Sequence, residues 1–102
     1  MAVREGDELR TGHGCAAKTT LALSLVRTVK ANGIYGAVKD TPTVSHLFPN
    51  DSPPPECISH KSKLKQGSPN VLIGGIPWGR EGDSADGGAM LIGSLNVLVN
   101  GK

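Results

Sequence analysis

Three short stretches of the sequence share one pattern: Thr-Val-Lys-Ala-Asn-Gly at residues 28–33, Asn-Val-Leu-Ile-Gly-Gly at residues 70–75, and Asn-Val-Leu-Val-Asn-Gly at residues 96–101. Each stretch has valine in its second position and ends in Asn-Gly or Gly-Gly. These pairs are the strongest short signal for a two-residue hairpin turn, because both turn residues take positive φ. The pattern therefore predicts three β-hairpins built on one repeating unit.

The segments that follow the first two turns also recur. Residues 34–40 and residues 76–83 supply second arms, and each ends in an aspartate. The third turn has almost nothing after it, but residues 2–7 (Ala-Val-Arg-Glu-Gly-Asp) resemble residues 79–83 (Gly-Arg-Glu-Gly-Asp). We therefore predict that the N-terminus supplies the missing arm, so that three hairpins close into a pseudo-threefold ring without an open sheet edge inside it.

The chain length and the turn-forming residues bound the fold class. The chain has 102 residues with 14 Gly and 7 Pro, which fits one domain rich in tight turns. We predict a single all-β domain over residues 1–102 with little or no helix. Leucines alternate within residues 16–26, which favours a strand, and the proline-containing residues 41–69 are expected to be a long loop.

Charge and hydropathy exclude several classes of function. The net charge is +2, and no basic run is interleaved with aromatic residues, so no nucleic-acid partner is expected. No stretch approaches the roughly 18 apolar residues needed to span a membrane. The N-terminus lacks the apolar core of a signal peptide, so we expect synthesis in the cytoplasm of a host cell.

Histidine and cysteine positions indicate a metal site. His13 and His46 each lie six residues after an aspartate that ends a repeat unit, so the two histidines are expected to converge near the threefold axis. Cys57 and His60 form a Cys-x-x-His pair on the long loop. Three imidazoles and one thiolate make a closed tetrahedral shell. We therefore predict a structural Zn²⁺ site formed by His13, His46, Cys57 and His60, with iron as the other possible metal.

Other pairings of these side chains remain open. Cys15, two residues after His13, is a rival sulfur ligand, and Asp86, in the turn at residues 85–88, is a weaker one. Cys15 and Cys57 could instead form a disulfide, although a metal is the better expectation in a reducing compartment. Alternatively, the histidines are solvated loop residues without a metal.

Two catalytic patterns are weak. Residues 12–19 approach the phosphate-binding pattern G-x-x-x-x-G-K-[ST], but Ala17 stands where the second glycine belongs, and no buried strand precedes the loop. An ordinary glycine-rich turn is the better interpretation. A Cys–His nucleophilic pair is conceivable, but nothing in the sequence resembles a nucleophile elbow. We therefore predict that the protein is not an enzyme.

The repeats resemble those of the PAAR-repeat family, whose members form the sharp tips of phage tail spikes and type VI secretion spikes. The resemblance is carried by Gly-Ser-Pro-Asn-Val-Leu-Ile-Gly-Gly-Ile-Pro at residues 67–77, Arg-Glu-Gly-Asp at residues 80–83, and Gly-Ser-Leu-Asn-Val-Leu-Val-Asn-Gly-Lys at residues 93–102. The Gly-Asp and His-Gly pairs within residues 6–14 are similar to the family's N-terminal pattern. Pro-Trp-Gly-Arg at residues 77–80 stands in place of the signature Pro-Ala-Ala-Arg.

The resemblance implies a cone whose three hairpins sit on the blunt end of a trimeric β-helical central spike, with one monomeric tip per trimer. It also implies a bound metal, typically zinc, that orders the loops near the point. Asp86 stands where many relatives have a Cys or His before Gly-Gly. Val97, Leu98 and Val99 are candidates for the apolar base, although for any one of them a place in the core is the better expectation.

The expected function is therefore a structural tip that caps and sharpens the spike of a contractile phage tail or of a type VI secretion-like machine. Such a tip is part of the virion and contacts the target cell envelope only transiently. The alternative is a small zinc-stabilised module that binds a different protein partner.

Overall fold

A computed structural model describes residues 1–50, 56–94 and 97–99. This part of the chain contains ten short β-strands and no helix, and so no helix long and apolar enough to cross a membrane. The prediction of an all-β fold is confirmed. The strands are β1 (Glu8–Arg10), β2 (Lys18–Thr20), β3 (Lys30–Ala31), β4 (Ile34–Tyr35), β5 (His46–Asn50), β6 (Glu56–His60), β7 (Leu72–Ile73), β8 (Ile76–Pro77), β9 (Ser84–Ala85) and β10 (Gly88–Met90).

The strands pair only in antiparallel fashion. One four-stranded sheet has the order β2-β1-β10-β9, and the other strands form three two-stranded hairpins: β3–β4, β5–β6 and β7–β8. The turns Asn32-Gly33 and Gly74-Gly75 have positive φ at both residues, as the sequence predicts. The third predicted turn, at Asn100-Gly101, lies outside the described residues.

A cyclic set of backbone hydrogen bonds joins the three repeats; we call it the central ring. The amide of Val3 donates to the carbonyl of Gly79, Gly79 donates to Ala37, and Ala37 donates back to Val3, each at 2.9 Å. Each residue has the same place in its repeat, so the three bonds form a closed triangle. The three equivalent bonds have the pseudo-threefold arrangement that the sequence predicts.

The two ends of the chain meet beside this ring. Ala2 donates to the Val97 carbonyl at 2.8 Å, and Ser94 donates to the Ala2 carbonyl at 2.7 Å. In the other two repeats, Gly36 donates to Val29, and Trp78 donates to Val71. The N-terminal segment thus has the place of the second arm in the third repeat, as predicted from the sequence.

The predicted alignment of the first repeat, residues 28–41, is wrong by one residue. The carboxylates of Asp7 and Asp83 accept hydrogen bonds from the amides three residues before them, and in the first repeat the Thr41 hydroxyl does so at 3.2 Å from the amide of Val38. Thr41 is therefore the counterpart of the two aspartates. The sequence comparison had given that place to Asp40.

Asp40 is instead the counterpart of two glycines. Gly6 and Gly82 have φ of 80° and 88°, and Asp40 has φ of 74°. Each of the three residues donates its amide to the carbonyl of a buried apolar residue on the neighbouring segment. The first repeat therefore has an acidic side chain where the other two have glycine.

Two apolar clusters lie on either side of the central ring. Because side chains alternate along extended segments, the ring residues Val3 and Ala37 face one cluster, and their chain neighbours Ala2 and Val38 face the other. The wide-end cluster packs beside the β3–β4 and β7–β8 hairpins, and the narrow-end cluster packs beside the four-stranded sheet. The buried members of the wide-end cluster are Ala2, Ala31, Val38, Ile73, Trp78 and Val99, and those of the narrow-end cluster are Val3, Leu9, Leu21, Ala37, Leu64, Ala85 and Met90.

The molecule is elongated, with principal-axis extents of 45 × 22 × 21 Å. A long hairpin, β5–β6, lies within residues 41–69, for which the sequence predicts a loop. Its register pairs His46 with His60 and Phe48 with Ile58. Prolines flank and interrupt this segment, and Pro49 is tolerated because the hairpin has no further strand beside it among the described residues.

Candidate metal centre

Four side chains from separate parts of the chain converge beyond the narrow-end cluster. His13 lies in the loop after β1, His46 begins β5, His60 ends β6, and Asp86 lies in the turn between β9 and β10. One ligand atom from each residue lies within 4.8 Å of the ligand atoms of the others. The group includes all three histidines of the chain.

The ligand atoms are close enough to surround one ion. Asp86 Oδ2 lies 2.7 Å from His13 Nε2 and 2.7 Å from His46 Nε2, and Asp86 Oδ1 lies 3.0 Å from His60 Nε2. The Nε2 atoms of His13 and His46 are 3.2 Å apart. Ligand atoms about 2.0–2.1 Å from a tetrahedral zinc ion are separated by about 3.3 Å. The separation of the His13 and His46 Nε2 atoms is close to this value, whereas the three contacts of Asp86 are shorter, as hydrogen bonds are, and would lengthen around an ion.

The tautomers of two histidines favour a cation. His13 Nδ1 lies 2.8 Å from the carbonyl oxygen of Gly14, and His46 Nδ1 lies 2.9 Å from that of Val44. A carbonyl oxygen only accepts hydrogen bonds, so each Nδ1 carries the hydrogen, and each neutral ring leaves a lone pair on Nε2. Two lone pairs and a carboxylate then point at one another. A metal ion, or extra protons, must balance this arrangement.

The pKa shifts point the same way. Burial alone would lower the pKa of His13, but hydrogen bonds to the Gly14 carbonyl and the Asp86 carboxylate outweigh it and raise that pKa above its ordinary value. Burial alone would raise the pKa of Asp86, but hydrogen bonds from His60, His13 and His46 hold it below its ordinary value. The site therefore favours an ionised carboxylate beside a positive charge.

Asp86 reaches the group because β9 and β10 are joined by a turn of only two residues. Asp86 and Gly87 have φ of 50° and 75°, as a two-residue hairpin turn requires. The turn packs directly on the loop of His13, where the amide of Gly12 donates to the Asp86 carbonyl at 2.8 Å. A Cβ on Gly12 would lie 2.3 Å from the Gly87 oxygen, and one on Gly88 would clash with Arg10. Glycine at both positions permits this approach.

Aromatic packing shields one side of the group. The Phe48 ring lies 4.7 Å from the His13 ring and 4.5 Å from the His60 ring, between ring centroids. The imidazoles of His13 and His46 stack at 5.2 Å with an interplanar angle of 8°. The side chains of His13, His46 and Asp86 are each less than a tenth exposed. Phe48 and the stacked rings therefore hold the imidazoles in place and limit access of water.

The structure places three of the four predicted ligands together and puts Cys57 elsewhere. The Cys57 sulfur is bonded to Cys15, and the two Cα atoms are 5.9 Å apart. On β6, Cys57 and His60 are three residues apart, so their side chains leave opposite faces of the strand. The prediction of Cys57 as a ligand assumes a loop, in which both side chains of a Cys-x-x-His pair can turn towards one ion. Residues 56–60 form a strand instead. Asp86, the weaker rival in the sequence analysis, is the fourth member of the group.

The disulfide supports the group from outside. Cys15 is two residues after His13, and Cys57 is three residues before His60. The bond therefore ties the loop that carries one ligand to the strand that carries another.

The near-match to a phosphate loop, residues 12–19, connects β1 to β2 within an antiparallel pair, which is not the strand-to-helix setting that such a loop needs.

The four residues thus form a group that could bind a metal ion. Comparison with models of known protein families finds no match, and comparison with curated proteins finds no relative.

Proposed function

We propose that the protein is a structural tip that caps the trimeric β-helical central spike of a contractile injection machine, either a phage tail or a type VI secretion-like machine. The observation that supports this most directly is the central ring, in which one chain repeats the same hydrogen bond three times around a closed triangle. A single chain with pseudo-threefold symmetry can offer three similar surfaces to three identical chains. The stoichiometry is then one tip per trimer.

The wide end offers the contact surface. Leu72 and Leu98 follow equivalent valines in their repeats and are 52% and 60% exposed. Val99 is only 2% exposed and belongs to the wide-end cluster, so of the apolar residues suggested by the sequence, Leu98 is the one exposed for contact. The spike would bind through apolar contacts here and through strand addition at the hairpin edges.

The metal centre lies on the other side of the central ring. In the repeat that contains Asp86, the chain passes from the β7–β8 hairpin through the ring to β9 and then to the metal centre. We propose Zn²⁺ as the ion, held by His13, His46, His60 and Asp86, with iron as the alternative, because imidazole and carboxylate ligands suit both metals. With four protein ligands the ion supplies structural stability, and it would order the narrow end of the tip.

This assignment places the protein in the assembled particle. It would be made in the host cytoplasm, join the virion at the distal end of the spike, and touch the target envelope only during injection. The role requires no chemical turnover and no nucleic-acid partner. A monomer with a rigid narrow end suits the mechanical task of sharpening a blunt trimer.

Co-purification with a trimeric β-helical spike fragment tests the proposal. We expect one copy of this protein per trimer, measured by native mass spectrometry. Leu72→Asp with Leu98→Asp should abolish the complex, because both place a charge in the apolar contact. The matched control is Leu47→Asp with Ile58→Asp on the β5–β6 hairpin, which are also exposed leucine and isoleucine positions and should leave binding intact.

Other stoichiometries would overturn the cap. Three copies per trimer would mean that the pseudo-threefold surface is not used, and no binding to any trimeric β-helix would favour a zinc-stabilised module with a different protein partner. Equal loss of binding in the two double variants would place the contact away from the wide end.

A further inference from the structure

A row of lysines marks one flank of the molecule. Lys61, Lys63 and Lys65 alternate along the extended segment after β6 and are exposed, whereas Leu64 between them is fully buried. Alternate residues on an extended chain point to the same side and are about 6.6–6.8 Å apart. The three ammonium groups therefore lie on one face.

Apolar side chains lie beside this row. Pro42 pairs with Lys63 across the adjoining segment, and the amide of Ala22 donates to the Pro42 carbonyl, which brings the neighbouring segment alongside. That segment carries Leu23 and Leu25, which are 63% and 54% exposed. We call the face formed by these leucines, Pro42 and the three lysines the basic flank.

A groove runs through the basic flank. It has a volume of about 420 Å³, and one acidic residue, Asp40, lines it together with the lysines, Leu25, Pro42 and Ser62. Lys63 Nζ lies 3.5 Å from Asp40 Oδ1, but both side chains are about half exposed, so this pair is weak. Within the described part of the chain, Lys61 and Lys65 make no ion pair of 4 Å or less.

We propose that the basic flank binds a membrane surface that carries anionic phospholipid headgroups. The lysines would pair with lipid phosphates, while Leu23 and Leu25 enter the boundary between headgroups and acyl chains, which is the combination that interfacial membrane segments use. Nucleic acid is a poorer fit, because proteins that bind single strands stack bases on aromatic side chains, and this flank presents leucines and proline. The proposal does not depend on the spike.

Vesicle sedimentation of the purified protein tests this inference. We expect binding to vesicles of equal phosphatidylglycerol and phosphatidylcholine and little binding to phosphatidylcholine alone. Lys61→Gln with Lys65→Gln should weaken binding roughly 25-fold, because each lysine near an anionic surface contributes a factor of about five. Leu23→Ser with Leu25→Ser should remove the part of the binding that persists at about 0.5 M salt, where charges are screened.

The matched control is Lys18→Gln with Lys30→Gln, which removes the same charge from exposed lysines elsewhere. We expect it to bind vesicles within about twofold of the unmodified protein, a difference far below one flank lysine's contribution. Thermal melting and metal content should be unchanged in all three double variants. The inference is overturned if the control weakens binding as much as Lys61→Gln with Lys65→Gln, if neutral vesicles bind equally well, or if a single-stranded oligonucleotide binds as tightly as the anionic vesicles.

Discussion

The two ends of the molecule are stabilised in different ways. At the wide end, Ala2, Val38, Ile73 and Trp78 pack into an apolar cluster, and Trp78 Nε1 donates to the Val3 carbonyl at 2.9 Å. At the narrow end beyond Leu9, the contacts are three imidazoles, one carboxylate and a disulfide. Burial of apolar side chains dominates the wide end, whereas beyond the narrow-end cluster the imidazole–carboxylate contacts and the disulfide add to the backbone pairing of β5 and β6.

The difference follows from how little apolar core the chain can build. A chain of 102 residues has a limited core, and this one has only three aromatic residues to fill it. The molecule has extents of 45 × 22 × 21 Å, so little interior remains beyond the two apolar clusters. A metal ion or a disulfide links segments without needing an enclosed apolar volume, which is why small domains depend on them. The narrow end should therefore depend on the proposed metal and on the disulfide far more than the wide end does.

Removing one ligand should have the largest effect. We expect Asp86→Asn to release the metal and to lower the free energy of unfolding by on the order of 5 kcal/mol or more, because the binding energy of a structural zinc ion is folding energy. Metal analysis of the natively purified protein and thermal melting provide the measurements. Chelation of the unmodified protein should lower the melting temperature in the same way.

Asp40→Asn is the matched control for that substitution. Asp40 and Asp86 both have positive φ, which Asn tolerates, so backbone strain is alike in the two variants, and Asp40→Asn loses only the exposed, weak ion pair with Lys63. Asp40→Asn should keep its metal. In Asp86→Asn, hydrogen exchange should accelerate at His46 and His60 and stay slow at the amides of the central ring. Full metal content in Asp86→Asn would exclude the carboxylate as a ligand.

Breaking the disulfide should have the second largest effect. The bond closes a segment of 42 residues, so Cys15→Ser and Cys57→Ser should each lower the free energy of unfolding by about 4 kcal/mol. Both variants should retain the metal, because neither sulfur belongs to the ligand group. Metal loss in Cys57→Ser but not in Cys15→Ser would instead identify Cys57 as the ligand that its sequence spacing suggested.

Replacing Asp40 with the glycine found at the equivalent places of the other two repeats should have the smallest effect. Asp40→Gly should raise the free energy of unfolding by about 0.5–1 kcal/mol, because Gly6 and Gly82 at the equivalent places have φ that glycine adopts without strain. Denaturant unfolding measures the gain. A loss of stability would mean that the exposed Asp40–Lys63 pair contributes more than the strain, contrary to the usual weakness of such pairs.

The sequence was sufficient to predict the repeating part of the fold. Asn32-Gly33 and Gly74-Gly75 specify hairpin turns through local backbone preference, and the likeness of residues 2–7 to residues 79–83 located the missing arm. Such signals depend only on short stretches of sequence, so they can be recognised without knowledge of the rest of the fold. His13 and His46 do converge, but the repeat does not account for it, because His13 lies six residues after Asp7 and His46 lies five residues after Thr41, the counterpart of Asp7.

The fourth ligand could not be predicted from local patterns. Asp86 reaches the histidines because a two-residue turn ends its repeat early, and the approach depends on Gly12 and Gly88 packing backbone against backbone. Pro49 and its neighbours concealed the β5–β6 hairpin, since proline is a weak strand former. Because this strand is not apparent from the sequence, neither the opposite orientation of the Cys57 and His60 side chains nor the disulfide could be predicted.

The closed triangle of Val3, Ala37 and Gly79 has a mechanical consequence. Each of the three residues takes part in two of the three bonds, so no segment can leave the triangle without breaking two bonds at once. Ala2, next to Val3, is also bonded to Ser94 and Val97, so the segment beside the triangle is held on a further side. A closed cycle of this kind has no free edge at which the three segments could begin to separate.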